Sequence, residues 1–309
     1  MSDEEKLKAF NEQNGTKIKI DDKHITIEHK EISEDSLIKL LSIKFHNLES
    51  LYLNHLSINN LNFLSSTHFP NLQTLCLDDN NIKSLEGIEI LRSNNLSELS
   101  IQRNKLENIE DLSKVDFPNL KKLSLCKNSI KSIDVLPKTK FVNLEYIYLD
   151  DNKITSIDGL CFAPFSKLKF FNLISNQIKN IDNLEKAPFK DIKGIYLVEN
   201  EIEDIEIFEK VDFKNLEYLS LNGNKIKSIE VFSKVKFLNL ERLDLENNQI
   251  SRIDVLINLP FTNLLHLGLR DNKFNPKDEK VLKIVEELEK KYKDIDVAVA
   301  QPEKGPLGC

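Results

Sequence analysis

The chain has 309 residues, of which 40% are hydrophobic and 30% charged, and its formal net charge is -7. That composition belongs to a folded chain and excludes disorder throughout; lysines interleaved with acids also argue against nucleic acid as partner, because binders of phosphate backbones concentrate positive charge. No stretch approaches the ~20 apolar residues that cross a bilayer, and Met1–Phe10 lacks the apolar core of a signal peptide.

Four cysteines, Cys76, Cys126, Cys161 and Cys309, show no paired spacing. Free thiols in a reducing compartment are expected, and with them a cytoplasmic location.

Residues 1–47 read as an N-terminal cap with a degraded first repeat. Lys17–Ile20, a turn at Asp21–Lys23, and His24–Ile27 read as a hairpin. A helix capped by Ser33 follows and carries Leu37, Leu40 and Leu41.

Residues 48–274 read as about ten 24-residue units. Leu48, Leu72, Leu96, Leu120, Leu144, Leu168, Ile192, Leu216, Leu240 and Leu264 open them without an insertion. Counting from these residues, positions 1, 4, 6, 11, 14 and 17 are almost always aliphatic. Position 9 is asparagine in nine units, from Asn80 to Asn272, with Leu56 in its place in the first. Position 22 is phenylalanine at Phe45, Phe69, Phe117, Phe141, Phe165, Phe189, Phe213, Phe237 and Phe261. Positions 4 and 6 alternate with polar neighbours and mark the inward side of a short strand. The position-9 amide can satisfy backbone groups of adjacent turns, so stacked copies predict an asparagine ladder. Position 15 is acidic from Glu86 to Asp254 and position 19 is often lysine. That order predicts a helical turn with acid-to-lysine pairs four apart. An acidic column also suits calcium, but a solvated helix face is the ordinary outcome and no metal is expected.

Residues 275–300 read as a C-terminal cap. Asn275-Pro276 signals a helix start, Val281, Ile284, Val285, Leu288 and Tyr292 share one face, and Ile295, Val297 and Val299 alternate as a last strand. Residues 301–309 read as a flexible tail.

The pattern L-x-x-L-x-L-x-x-N-x-I-x-x-I-x-x-L resembles the leucine-rich-repeat family over most of the chain. Within it, the isoleucines at positions 11 and 14 resemble the short-repeat class of a regulatory subunit of type-1 protein phosphatase and of the internalins. The departure is two extra residues per unit before the position-22 phenylalanine. The resemblance implies an α/β solenoid, curved, with a parallel sheet on the concave face and short helical turns on the convex face. It also implies a module that binds a partner protein on the concave face, as scaffold, adaptor or regulator of an enzyme, or alternatively a pathogen effector or surface-recognition protein of internalin type.

With positions 4 and 6 inward, positions 3, 5 and 7 point out of the sheet, with position 8 at its edge. Five of the six tyrosines fall at positions 3 or 5: Tyr52, Tyr146, Tyr148, Tyr196 and Tyr218. Phe170 joins them, and Ile174 and Val198 lie beside them at position 7. Exposed aromatics flanked by aliphatics on a rigid sheet suit an interface with protein, although strands favour tyrosine for propensity alone. Ser100, Ser124, Ser220 and Gly194 are small enough to leave pockets. Charged side chains flank the aromatics: Asp78, Asp79, Asp150 and Asp151, Lys122 and Lys127, and Arg242, Asp244, Glu246, His266 and Arg270. Arg242 and Arg270 join the expected partner-binding set, in a rim that orients a partner. Paired aspartates as a metal site would need six or more converging oxygens. The six histidines, His24, His29, His46, His55, His68 and His266, form no catalytic constellation with the cysteines, and no phosphate loop appears. The expectation is therefore a monomeric protein without cofactor or catalytic residues.

Overall fold

The computed structural model describes residues 1–28, 32–67, 69–91 and 93–299. His29, His68 and the 301–309 tail with Cys309 lie outside the described residues. The chain divides into two compact units: residues 1–154 with 158–168, and residues 155–157 with 169 onward.

The first unit opens with α1 (Asp3–Asn14), an element the sequence reading lacked. Its start is a reciprocal capping box: Ser2 N donates to Glu5 Oε2 at 2.7 Å and Glu5 N donates to Ser2 Oγ at 3.2 Å. Leu7 and Phe10 are its buried face. The predicted hairpin is not formed. Lys17–Ile20 is no strand, because Asn11 holds it at the end of α1: Asn11 Nδ2 donates to Ile18 O at 2.8 Å, and Ile18 N donates to Asn11 Oδ1 at 3.0 Å. The next strand, β1 (His24–Glu28), pairs in parallel with β2 (Ser50–Asn54), with α2 (Glu34–Leu41) between them. Ser33 caps α2, accepting from Ser36 N at 3.2 Å. Parallel strands β3 (Thr74–Cys76), β4 (Glu98–Ser100), β5 (Lys122–Ser124) and β6 (Tyr146–Tyr148) follow in chain order, and a one-turn helix α3 (Asp158–Cys161) completes the unit.

The second unit repeats the pattern with β7 (Phe170–Asn172), β8 (Gly194–Tyr196), β9 (Tyr218–Ser220), β10 (Arg242–Asp244) and β11 (His266–Gly268). Helix α4 (Glu279–Lys291) and β12 (Asp296–Ala298) close its end. Asn275-Pro276 makes a turn, and the helix begins later, where Asp278 accepts from Lys280 N at 2.8 Å. Val281, Ile284, Leu288 and Tyr292 are buried.

Each coil closes its core in the same way. Side chains at positions 4 and 6, such as Leu123 and Leu125 or Leu219 and Leu221, are fully buried. The position-22 phenylalanines stack behind them, Phe117 on Phe141 at 6.4 Å in the first unit and Phe237 on Phe261 at 6.1 Å in the second. A single coil could not bury either set; the neighbouring coil does.

The position-9 asparagines stitch one coil to the next. Asn200 Nδ2 donates to Leu173 O of the preceding coil at 2.9 Å and to its own Leu197 O and Val198 O, while its Oδ1 accepts from Ile178 N at 3.0 Å. Asn152 does the same in the first unit. A second column runs at position 24, where Asn71, Asn95, Asn119 and Asn143 each donate to a carbonyl of the preceding coil. Position 8, just before the ladder residue, is left-handed in every coil from His55 to Asp271, with Glu199 at φ 52° and Lys127 at φ 54°.

Most backs are 3-10 turns, such as Glu110–Ser113 and Glu206–Glu209. That pitch brings residues three apart together. Lys114 Nζ therefore meets Asp111 at 2.7 Å and not Glu110, the partner predicted from α-helical spacing. Lysine–acid pairs instead run between coils, as in Lys131–Glu107 at 2.8 Å and Lys225–Glu201 at 2.8 Å.

Candidate functional site

In both units positions 3, 5 and 7 face away from the core. Among the described residues the one helix that reaches a strand is α4, at β12, so the strands' outward face is otherwise uncovered by helix.

In the first unit this face is a hollow beside two tyrosines. Row 5 runs Tyr52, Cys76, Ser100, Ser124, Tyr148, and row 3 runs Ser50, Thr74, Glu98, Lys122, Tyr146. Tyr52, Tyr146 and Tyr148 are half-buried, not fully exposed as their outward positions suggested. Lys122 Nζ lies 5.9 Å from the Tyr148 ring centroid. Burial raises the Tyr148 hydroxyl pKa above the usual phenol value. Between Tyr52 and Lys122 the three small row-5 side chains leave a cavity of about 200 Å³. Burial, reinforced by the Asp78 charge, pushes the Cys76 thiol up to about 11, so it is neutral. Burial raises Cys126 as well, with Asp150 Oδ1 accepting from its Sγ at 2.8 Å.

The aspartates of this unit do not converge. Asp78 accepts from Ser100 Oγ at 2.7 Å and from Gln102 N at 2.8 Å. Asp79 takes a two-pronged bond from Arg103, at 2.6 Å on each oxygen, with His55 Nε2 at 3.4 Å. Among the described residues no group of three or more His, Cys, Asp or Glu could hold a metal ion. A wider groove of about 670 Å³ lies beside α2, where Leu56 stands in the ladder position.

In the second unit Phe170, Gly194 and Tyr218 share row 3, and Asn172, Tyr196 and Ser220 share row 5. A Cβ on Gly194 would lie 2.4 Å from Phe170 Cδ1 and 3.0 Å from Tyr196 Cε2. The bare glycine thus makes room for both rings. Phe170, Tyr196 and Tyr218 are half-buried, as are Ile174 and Val198 at position 7. Asn172 Oδ1 accepts from Ile174 N at 3.0 Å and fixes the strand's exit. Glu241, whose carboxylate lies 3.4 Å from the Tyr218 hydroxyl, raises the pKa of that group.

Arg242 and Arg270 are engaged within the chain. Arg242 Nε meets Asp244 Oδ2 at 2.7 Å, which holds the guanidinium pKa up, and Arg270 lies 3.7 Å from Glu246. Buried Asp244 also meets His266 Nε2 at 3.1 Å, and His266 Nδ1 meets Asp296 of β12 at 2.8 Å. This network ties the last strand to the array. Sequence reading placed its members on the rim and missed that they bond one another. It also missed Glu98 and Thr74 beside the first unit's hollow, although a lone acid between threonine and lysine in row 3 was a readable signal.

The five aromatics divide between the units, Tyr146 and Tyr148 in the first and Phe170, Tyr196 and Tyr218 in the second. No helix in the described residues is long and apolar enough to cross a membrane.

Comparison with known proteins agrees with this geometry. A family model described as leucine rich repeat matches residues 118–178, and one described as leucine rich repeats (2 copies) matches residues 214–258. No curated protein sequence matches the chain. Among solved structures, an internalin from Listeria monocytogenes is similar at 19% identity and TM-score 0.68, over 98% of this chain and 90% of that one. A leucine-rich-repeat protein of Leptospira interrogans matches at 19% identity and TM-score 0.58, over 88% and 81%. The leucine-rich-repeat ectodomain of an Arabidopsis thaliana membrane receptor kinase matches at 19% identity and TM-score 0.61, over 90% of this chain and 36% of its own. At these identities the likeness concerns the fold. With the repeat pattern, the ladder geometry and the matched repeat models together, the chain is a leucine-rich-repeat protein with an α/β solenoid fold.

Proposed function

We propose that this protein is a protein-binding module, acting as scaffold, adaptor or regulator, that docks a partner polypeptide on the outward face of its strands. The observation that carries this reading is the second unit's trio of Phe170, Tyr196 and Tyr218, gathered around Gly194 with Ile174 and Val198 alongside. Aromatic rings fixed by a rigid sheet lose little conformational entropy on contact, and tyrosine adds a polar tip to a large apolar area. A half-buried ring is already oriented, so binding removes its remaining exposed surface from water at little ordering cost. The recurrence of Tyr52, Tyr146 and Tyr148 on the same face of the first unit fits the same use. The Arabidopsis receptor kinase ectodomain, which has this fold, is in complex with a factor of its own. Cys76 and Cys126 on this face are held as neutral thiols.

The test is affinity capture from a native extract with wild type and with a Tyr196→Ala/Tyr218→Ala double variant. The variant should keep its circular dichroism spectrum and lose the main captured protein. Equal capture by both would remove the second unit's aromatic rows as the docking surface.

A further inference from the structure

The hollow in the first unit has a chemistry of its own. Its lining joins Tyr52, Cys76, Asp78, Glu98, Ser100 and Ser124, with Lys122 at the edge. Glu98 is exposed, and its side chain forms no ion pair or hydrogen bond among the described residues. The lysine beside it in row 3, Lys122, is directed to the Tyr148 ring instead. Ser124 is 3% exposed, and its hydroxyl meets no partner among the described residues, although the residue lines the hollow. Asp78 is 9% exposed; its Oδ1 is saturated by Ser100 and Gln102, whereas Oδ2 is met by Gln102 Nε2 at the long distance of 3.5 Å. Two carboxylates, the unpartnered hydroxyl of a buried serine and an aromatic wall therefore border a cavity of about 200 Å³ whose one ammonium leans away.

We propose that this hollow receives an arginine side chain of the partner protein. The inference rests on the docking reading above and names what the first unit recognises. A guanidinium offers five N–H donors in a planar fork, which can address Glu98 and the Asp78 edge together while reaching the Ser124 hydroxyl. Its face can lie on the Tyr52 ring. An ammonium is a point donor without a flat face to stack, and a neutral side chain leaves the Glu98 charge unanswered. A divalent cation does not suit the site, since hard cations need six or more converging oxygens.

The experiment titrates N-acetyl-arginine N-methylamide into 15N-labelled full-length protein, following amide resonances. The neutral citrulline counterpart and the lysine counterpart serve as comparisons. The expected result is a saturable shift confined to residues around 74–78, 98–102 and 122–124, stronger for arginine than for lysine and absent for citrulline. Glu98→Gln should weaken the arginine probe roughly tenfold, the loss expected for a charge-assisted contact. Absence of saturable shifts at tens of millimolar, or equal binding of citrulline or lysine, would overturn the assignment. The Tyr196→Ala/Tyr218→Ala variant should bind the probe as wild type does. If the probe fails while capture still depends on Tyr196 and Tyr218, the arginine inference falls and the docking reading stands. If the probe binds while capture ignores those tyrosines, the second unit's aromatic trio is not the docking site and the arginine pocket of the first unit remains.

Discussion

The ring of Phe170 occupies the space where Gly194 has no side chain: a Cβ there would come within 2.4 Å of Phe170 Cδ1 and 2.7 Å of Cε1. Gly194 sits between Phe170 and Tyr218 in one row of the sheet, so its bareness sets how the aromatic side chains of the second unit lie. Gly194→Ala should displace the Phe170 ring, lowering stability by about 1–3 kcal/mol as an overpacked site does. It should also weaken partner capture more than Ser220→Ala, a change of similar size one strand away. Denaturant unfolding and quantitative capture of the two variants check this.

The asparagine ladder should be the costliest polar column to break. Asn200→Ala removes bonds to Leu173 O, Leu197 O and Val198 O and leaves Ile178 N unmet in a buried setting. Leu173 O, Leu197 O and Val198 O keep Asn176, Asn224 and Ser175 as donors, so Ile178 N is the group left without its partner, and a loss of about 1–3 kcal/mol is expected. Urea unfolding measures it; a loss under about 1 kcal/mol would show that the coils do not rely on the amide.

A gain is expected at position 8. Lys127 holds φ 54°, its backbone N donates to Asp150 O at 2.9 Å and its side chain forms no ion pair or hydrogen bond among the described residues, whereas Gly223 occupies the same position in its coil at φ 67°. A left-handed conformation costs a non-glycine residue about 1–2 kcal/mol. Glycine pays back part of that relief through greater freedom in the unfolded chain. Lys127→Gly should raise stability by roughly 0.5–1 kcal/mol, read as an upward shift in melting temperature.

Alkaline pH should destabilise the fold. Burial lifts Cys76 to about 11, Cys161 to about 12 and Tyr292 to about 12. The corresponding values in an unfolded chain are 9.0 for the thiols and 10.0 for the phenol. Between the two values the native state holds protons that the unfolded state has released, so stability falls as pH rises. The decline should begin near pH 9 and continue to about 12. Cys161→Ala should flatten it, whereas Cys161→Ala with an unchanged pH slope would show that this thiol does not contribute.

Much of this architecture was legible because a repeat states its own geometry many times over. The 24-residue spacing, the inward leucines and the position-9 asparagines all mapped onto observed strands and hydrogen bonds. What failed was local and non-repeating. Lys17-Ile-Lys-Ile20 alternates like a strand, but alternation says nothing about Asn11, which captures Ile18 from the preceding helix. The capping box at Ser2 and Glu5 and the position-24 asparagines are polar signals that apolar periodicity does not register. Acid-to-lysine spacing assumed an α-helical pitch, and the backs adopt the tighter 3-10 turn, so Lys114 found Asp111. At the candidate site the outward rows were correct by register alone. Their packing was not legible: ring placement around Gly194, the inward pairing of Arg242 with Asp244 and the solitary Glu98 depend on rotamers chosen by neighbours in other coils.

The most direct measurement of the central claim is site-specific photo-crosslinking in a native extract. A benzophenone side chain at Tyr196 should yield a discrete adduct with the captured partner, while the same group at Lys210, on the opposite side of the coil, should yield none. An adduct from Lys210 and none from Tyr196 would contradict the account, because it would place the partner on the backs of the coils and leave the aromatic rows without a role.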